Sequence, residues 1–400
     1  MISLESAQES ILGGLRPLAT TEILPVAMAT GRVPTGDLNA RVELPPFDNA
    51  SVDGYAVQSA DLAGAGPENP VALEEVGRVS AGDLPSRLVT SGTCVRIFTG
   101  AIVPPGADAV VMQEDTSRGE GGLVRFMASV GPWEGVRLAG GDLKLGARVA
   151  EAGVPLSPAR VGLLAATGHA TVSVHRRPRI TLLATGNELT SPGDPLVPGR
   201  IYDSNRALLS ALAAKDGFHL VSAGLVQDTP EGTMAALVDA ARASDVVVTT
   251  GGVSVGDSDL VKAAVMALGG TVENWRLALK PGKPFAWGRF ESALWFGLPG
   301  NPVSAFVTWW LLVRPALRRL MGMKVAHGQR LRGRLGEAVG NEGERRHFMR
   351  VRLDEEGRVW IAGAQASHIQ SGLAEANGLL DVPPRSVWEM GRDVEVLLLA

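Results

Sequence analysis

Three stretches of the chain place glycines beside hydroxyl-bearing and acidic residues directly after an apolar run. They are ITLLATGNEL, with Thr185, Gly186 and Glu188; DVVVTTGGVSVGDSDL, with Gly251, Gly252, Ser254 and Gly256; and LWFGLPGNPVSAF, with Pro299, Gly300, Asn301 and Pro302. Glycine lets backbone amides approach an anion closely. A helix that follows such a loop aims the positive end of its dipole at the same place. Three such loops on one sheet edge suit a phosphorylated ligand; the plainer reading is that the glycines only close tight strand–helix turns. Glu188, Asp228, Asp257 and Asp259 sit in the loops of this region. Carboxylates beside a phosphate-binding loop suit Mg²⁺ bridging carboxylate and phosphate oxygens. Asp228, Asp257 and Asp259 also stand at helix starts, where aspartate serves equally well as a cap. Glu188 follows a strand directly and has no such alternative role. Arg276, Lys280 and Lys283 crowd into WRLALKPGKPFAWG, where Pro281-Gly282 reads as a turn presenting the two lysines. Such a group either steadies an oxyanion or developing phosphoryl charge or forms a solvated basic loop. The GxxxxGK[ST] phosphate loop is absent.

Other candidates are weaker when taken alone. PPFDNASVDGYAV carries Asp48, Asn49, Ser51 and Asp53, all turn-forming types. FTGAIVPPGADAVVMQED offers Thr99-Gly100 with Glu114 and Asp115, and Asp142 follows a Gly-Gly pair. The histidines at 169, 175, 219, 327, 347 and 368 show neither HxH nor HxxxH spacing, which argues against a histidine metal site. No GxSxG elbow supports a serine nucleophile. Cys94 is the single cysteine, so neither an intrachain disulfide nor a cysteine-rich zinc site is expected. Trp309-Trp310, on an apolar helix, reads as core or interface.

The elements that must hold these loops are legible from periodicity. At roughly 150 residues per domain, 400 residues suggest two to four domains. With 45% hydrophobic and 20% charged residues the chain is globular, and a net charge of −4 argues against a broad nucleic-acid surface. MISLESAQES has no basic n-region, and the longest apolar run, Ala305 to Val313, is too short to span a bilayer. A cytoplasmic protein without nucleic-acid or membrane partners is therefore expected. Leu4, Ala7, Ile11, Leu12 and Leu15 make one helical face after Ser3 as cap. From Gln58 to Leu138 short β-like runs alternate with Gly-rich turns, and Ser157 should cap a helix over Pro158–Thr167. From Pro178 to about Leu320 strands and helices alternate, with Asp245–Thr250 almost wholly apolar, as a doubly wound α/β domain with a parallel sheet requires. Five further strands over Arg330–Leu398 predict a small barrel or sandwich.

PPFDNASVDGYAV, TGAIVPPGADAVV, TGNEL followed by IYDSN, TTGGVSVGDSD, KPGKPFAWG and GLPGNPVSAFV occur in one order along the chain. In that order and spacing they resemble the MoeA family of molybdopterin molybdenumtransferases, related to the E domain of gephyrin. The resemblance covers essentially the whole chain. It implies a multidomain α/β plus β fold: an extended N-terminal domain (1–26 and 140–177), an inserted β-rich domain (27–139), a doubly wound α/β domain of molybdopterin-binding type (178–327) and a C-terminal β-barrel (328–400). It implies insertion of molybdate into adenylylated molybdopterin, release of AMP and dependence on Mg²⁺. The implied catalytic residues are Glu188, Asp228, Asp259, Lys280, Asp53, Thr99 and Asp142, with metal held by Glu188, Asp228 and Asp259. Arg276, Lys283, Arg350 and Ser371 join the loop residues as implied substrate contacts. A homodimer sharing its sites between subunits, and an adenylyltransferase partner, are also implied. Two positions depart from the pattern: Arg276 stands where some relatives have Lys, and Asn187 replaces an acid. Adenylylation of molybdopterin by MgATP and a gephyrin-like scaffold role are the competing readings. The N-terminal motifs and the C-terminal barrel weigh against the former, and the retained acids and Lys280 against the latter.

Overall fold

The computed structural model describes residues 1–252, 260–324 and 327–399. The chain forms two compact units, one of residues 1–22, 153–155 and 174–400, the other of residues 23–152 and 156–173.

The first unit is built on a six-stranded sheet. Helix α1 (Leu4–Gly13) precedes it, with the Ser3 hydroxyl accepting from the Ser6 amide. Strand β1 (Arg179–Thr185), helix α2 (Ser204–Lys215), β2 (His219–Val226), α3 (Pro230–Ala243), β3 (Val246–Thr250) and α4 (Leu260–Ala267) follow. The run continues through β4 (Thr271–Arg276), β5 (Pro284–Phe290), β6 (Ala293–Leu298) and α5 (Pro302–Thr308). The strand order is β2-β1-β3-β6-β5-β4. β2, β1, β3 and β6 are parallel, and β5 and β4 close the sheet as antiparallel strands. All five residues of β3 are buried, which matches its apolar sequence and its covered faces. β1 turns outward to β2 on one side and faces β3 on the other, so the strand order reverses at the β1–β3 gap. Ligands bind beyond the carboxyl ends of strands at such a reversal.

β4 and β5 fall in a stretch read from sequence only as a basic loop. β4 has four exposed residues and no buried one, which leaves it little apolar alternation, and the prolines and glycine of KPGK mask the strands on either side of the turn. α5 runs on through a wider π turn, Trp309–Val313, into a last helical segment, Arg314–Leu320. Trp309 and Trp310 are buried there at 0% and 3% exposure. Leu4, Ala7, Ile11 and Leu15 of the N-terminal segment pack in the same core as Ile180, Val246, Phe296, Trp309 and the barrel residues Phe348, Leu379 and Leu397. The N-terminal helix, grouped by sequence with an extended domain, thus shares its core with the α/β sheet. Beyond it, strands Arg330–Leu335, Arg346–Leu353, Arg358–Ile361, Gly378–Val382 and Asp393–Leu398 close into a five-stranded barrel, since the second strand pairs with both the third and the fourth.

The second unit centres on another six-stranded sheet, ordered Ala109–Met112, Gly54–Val57, Thr93–Ile97, Val71–Val79, Leu123–Phe126 and Thr116–Arg118. The strand Gly54–Val57 lies inside the motif read as turns. It is entirely buried between two neighbours. A Cβ on Gly54 would stand 1.8 Å from the Val111 carbonyl oxygen, so the close pairing at that point tolerates only glycine.

Candidate active-site cleft

Register assembles the site. Ala184, Thr250 and Leu298 lie on one row across β1, β3 and β6. The residues that follow them therefore leave the sheet at one edge: Thr185-Gly186, Gly251-Gly252 and Pro299-Gly300. Between these loops opens a cleft of about 770 Å³. Thr185, Glu188, Gly251, Gly252 and the run Pro299–Pro302 all line it. Gly251 has φ +86°, and a Cβ there would lie 2.5 Å from the Thr185 carbonyl oxygen, so the loops meet only because that position carries no side chain. The Gly251 amide donates to the Leu298 carbonyl at 3.2 Å, tying the second loop to the third.

Helix α2 begins at the same cleft. Asp203 caps it by accepting from the Arg206 amide at 3.1 Å and pairs with the Arg206 guanidinium at 3.0 Å. Asp203 is 2% exposed, so this carboxylate is committed to structure. Asn205 donates from Nδ2 to the Gly300 carbonyl at 2.7 Å, while its buried Oδ1 has no partner among the described residues. Tyr202, Ser204, Asn205, His368 and Gln370 also line the cleft. None of these was singled out from sequence as a site residue. The IYDSN motif was the available signal for the first three, because it supplies a cap and a short amide at the start of a helix facing glycine loops. His368 and Gln370 come from the barrel, far along the chain, and no spacing rule connects them to the sheet.

The acidic and basic candidates separate. Glu188 is exposed on the cleft wall, with its carboxylate folded over Gly186 so closely that a Cβ there would meet it at 2.6 Å. Asp228 is exposed in the loop after β2 and does not line the cleft; Thr229, not Asp228, caps α3, accepting from the Gly232 amide at 3.1 Å. Ser254, Gly256, Asp257 and Asp259 lie outside the described residues. Arg276 is the cross-strand partner of Pro284, which lines the cleft, and the Lys283 carbonyl accepts from the Leu277 amide at 2.8 Å; the Arg276 and Lys283 side chains are exposed and line no wall. Gly282 has φ +108° and packs against Thr308 of α5.

Lys280 sits on a short strand, Leu279–Lys280, that pairs with the barrel, Lys280 standing opposite His347. His347 is 3% exposed. Burial first, then the charges of Lys280, Arg350 and Arg345, push its imidazole down to about 4. Arg350 is 1% exposed and its guanidinium donates to the Ala364 and Ala366 carbonyls at 2.5 and 3.1 Å, so the side chain holds a barrel loop. Ser371 is exposed at the start of a short helix, one residue past Gln370.

In the second unit, sequence distance collapses elsewhere. Asp53 Oδ1 accepts from the Thr99 amide at 2.8 Å and the Thr99 hydroxyl at 2.7 Å. These two bonds, with the nearby Arg96 charge, hold the carboxyl below its ordinary value. The Asp142 amide donates to the Leu44 carbonyl at 2.9 Å. Among the described residues no three acidic, histidine or cysteine side chains gather as a metal cluster, and no helix is long and apolar enough to cross a membrane.

A parallel sheet with a glycine-lined cleft at its reversal point, followed by a closed barrel, defines a multidomain α/β protein of the molybdopterin-binding type. Residues 2–168 match the MoeA N-terminal region (domains I and II), residues 181–319 a probable molybdopterin-binding domain, and residues 332–399 the MoeA C-terminal region (domain IV). A molybdopterin molybdenumtransferase of Haemophilus influenzae is 37% identical over 94% of this chain and 93% of its own length. A molybdopterin molybdenumtransferase 2 of Mycobacterium tuberculosis is 38% identical over 90% of each. A crystal structure of the molybdopterin biosynthesis MoeA protein of Pyrococcus horikoshii superposes with a TM-score of 0.85 at 32% identity, over 100% of this chain and 99% of that one. The chain belongs to the MoeA family of molybdopterin molybdenumtransferases.

Proposed function

We propose that this chain inserts molybdenum into molybdopterin, taking adenylylated molybdopterin and molybdate as substrates and releasing AMP. The observation that carries the reading is the meeting of the three glycine loops and the start of α2 in one cleft at the reversal point of the sheet. Relatives that share this architecture across nine-tenths of the chain are named for that transfer. The cleft offers hydroxyls, amides and backbone groups suited to a pyrophosphate-linked adenylate. Arg276, Lys280 and Lys283 are the cationic residues proposed to receive the molybdate dianion, with Ser371 near the barrel side. Arg350 supports that side through its loop.

Mg²⁺ fits the donor set in a limited way. This ion is held through one or two carboxylates plus substrate phosphates and keeps several waters, so it needs no large protein cluster. Glu188, on the cleft wall, is the described carboxylate proposed to hold it, and the ion would supply charge neutralisation at the phosphates. Asp259 would join it from outside the described residues. Asp228 is not at the cleft and is the weakest of the three proposed ligands. Asp53, Thr99 and Asp142 are proposed to serve a homodimer in which one subunit completes the other's site, with an adenylyltransferase as the supplier of substrate, in the cytoplasm. The reading is tested by incubating the protein with adenylylated molybdopterin and molybdate and assaying the product by reconstitution of a molybdenum-free molybdoenzyme. Activity of the recipient enzyme is expected; its failure to gain activity, with the substrate intact, would remove the assignment.

A further inference from the structure

The cleft that must receive anionic phosphates is lined, among the described residues, by no lysine or arginine. Its acidic and histidine lining groups are Glu188, Asp203 and His368, beside the phenol of Tyr202. Asp203 is buried and spent on Arg206 and the α2 amide. His368 is then the described lining side chain able to present positive charge or a ring N–H donor.

The segment that carries His368 is held firmly for a loop. Arg350 donates to the carbonyls of Ala364 and Ala366. The Arg350 amide donates to Gln365 Oε1 at 2.8 Å, and Gln365 Nε2 donates back to the Arg350 carbonyl at 3.2 Å. On the far side the Val303 amide donates to the Ser367 carbonyl at 3.1 Å, and Gln370 Nε2 donates to the Ser204 hydroxyl at 3.0 Å. His368 is thus bracketed by bonds to the starts of α5 and α2, the two helices that open at the cleft. It is itself exposed on the cleft wall, so its side chain carries no packing duty.

We propose that His368, delivered by the barrel loop Ala362–Gln370, is a binding residue for the phosphate portion of the ligand. Gln370 and Arg350 act as positioning residues that fix this loop against α2 and α5. The proposal rests on the pyrophosphate-linked adenylate reading of the cleft. A donor on a barrel loop also gives the barrel a part in holding substrate, which the glycine loops alone do not require.

The test is ADP-ribose binding to the full chain by calorimetry. ADP-ribose carries an adenosine pyrophosphate diester and no reactive molybdopterin. Wild type should bind it. His368→Ala should bind about ten-fold more weakly, the size of one charge-assisted hydrogen bond. His368→Arg should recover most of that loss, and Gln370→Ala should weaken binding less than His368→Ala. Equal affinity of wild type and His368→Ala would overturn the assignment of His368 while leaving the cleft reading intact. Absence of ADP-ribose binding by wild type would overturn the cleft reading and the His368 proposal with it.

Discussion

Glu188 and His347 show two opposite fates for a titratable group. Glu188 is exposed on the cleft wall, and its carboxylate makes no hydrogen bond or ion pair among the described residues. Glu188→Gln should leave the melting temperature within the range of an ordinary surface change, about 0.5 kcal/mol, while cutting turnover at least ten-fold, roughly the worth of one charge-assisted contact at a reacting centre. Thermal melts and initial rates measured on the same preparation separate the two effects, and wild-type turnover would take Glu188 out of the site. His347 is buried and held neutral, its folded value near 4 against 6.5. The unfolded chain binds a proton there between those limits and the folded chain does not. Stability from this group is therefore complete above pH 6.5 and declines as pH falls toward 4, by up to roughly 3 kcal/mol. His347→Gln removes the titration, so its denaturation midpoint should fall less steeply than wild type between pH 6.5 and 4; parallel curves would show that His347 is protonated in the folded state.

At the scale of elements, the loop after β3 depends on one glycine. Gly251 combines a left-handed backbone with a 2.5 Å approach to the Thr185 carbonyl. Gly251→Ala should cost at least about 2 kcal/mol from strain and displacement and lower activity beyond what stability explains, read by chemical denaturation and kcat. At the other end of the sheet, Asp245 takes two bonds from Arg176, at 2.8 and 3.0 Å, and one from the Arg179 amide at 2.7 Å. Burial opposes its ionisation, but these partners outweigh it and hold the carboxyl below its ordinary value. The folded value is the lower one, so this contribution is present above the unfolded carboxylate value and is lost as pH falls through the folded value. Asp245→Asn should cost about 2–4 kcal/mol at pH 7, since it strands the Arg176 guanidinium, with the difference from wild type shrinking in acid. Much of this scale was readable from residue pattern: β3 announced itself by its largely apolar run and α1 by the Ser3 cap followed by a 3.6-residue stripe. β4, β5 and the strand Gly54–Val57 did not. The first two are interrupted by prolines and glycines at the turn between them. The third is too short, with its one glycine demanded by the Val111 carbonyl, to show alternation.

The whole molecule divides into units with separate cores. Tyr55, Leu73, Val111 and Phe126 form one cluster in the second unit, while the α/β sheet and barrel share Phe296, Trp309 and Phe348 in the first. The proposed site residues divide in the same way, Asp53 and Thr99 in one unit and Glu188 with the glycine loops in the other. That division was visible in the motif order, whereas the contribution of His368 and Gln370 was not, because barrel closure and loop docking bring together residues that no local periodicity links. If a homodimer completes the site, each heterodimer of Asp53→Ala and Glu188→Gln subunits has one intact and one doubly broken site, so isolated heterodimers should regain up to about half of wild-type activity and a random mixture about a quarter. Isolated heterodimers with no activity would argue that each site uses one subunit alone.

The central claim meets its most direct test in single-turnover AMP release from adenylylated molybdopterin, followed with and without molybdate and Mg²⁺. Release that requires both, with loss of molybdate from solution matching AMP formed, is the result predicted. Release indifferent to molybdate, or formation of the adenylylated adduct from MgATP and molybdopterin with no AMP release from that adduct, would contradict molybdenum transfer.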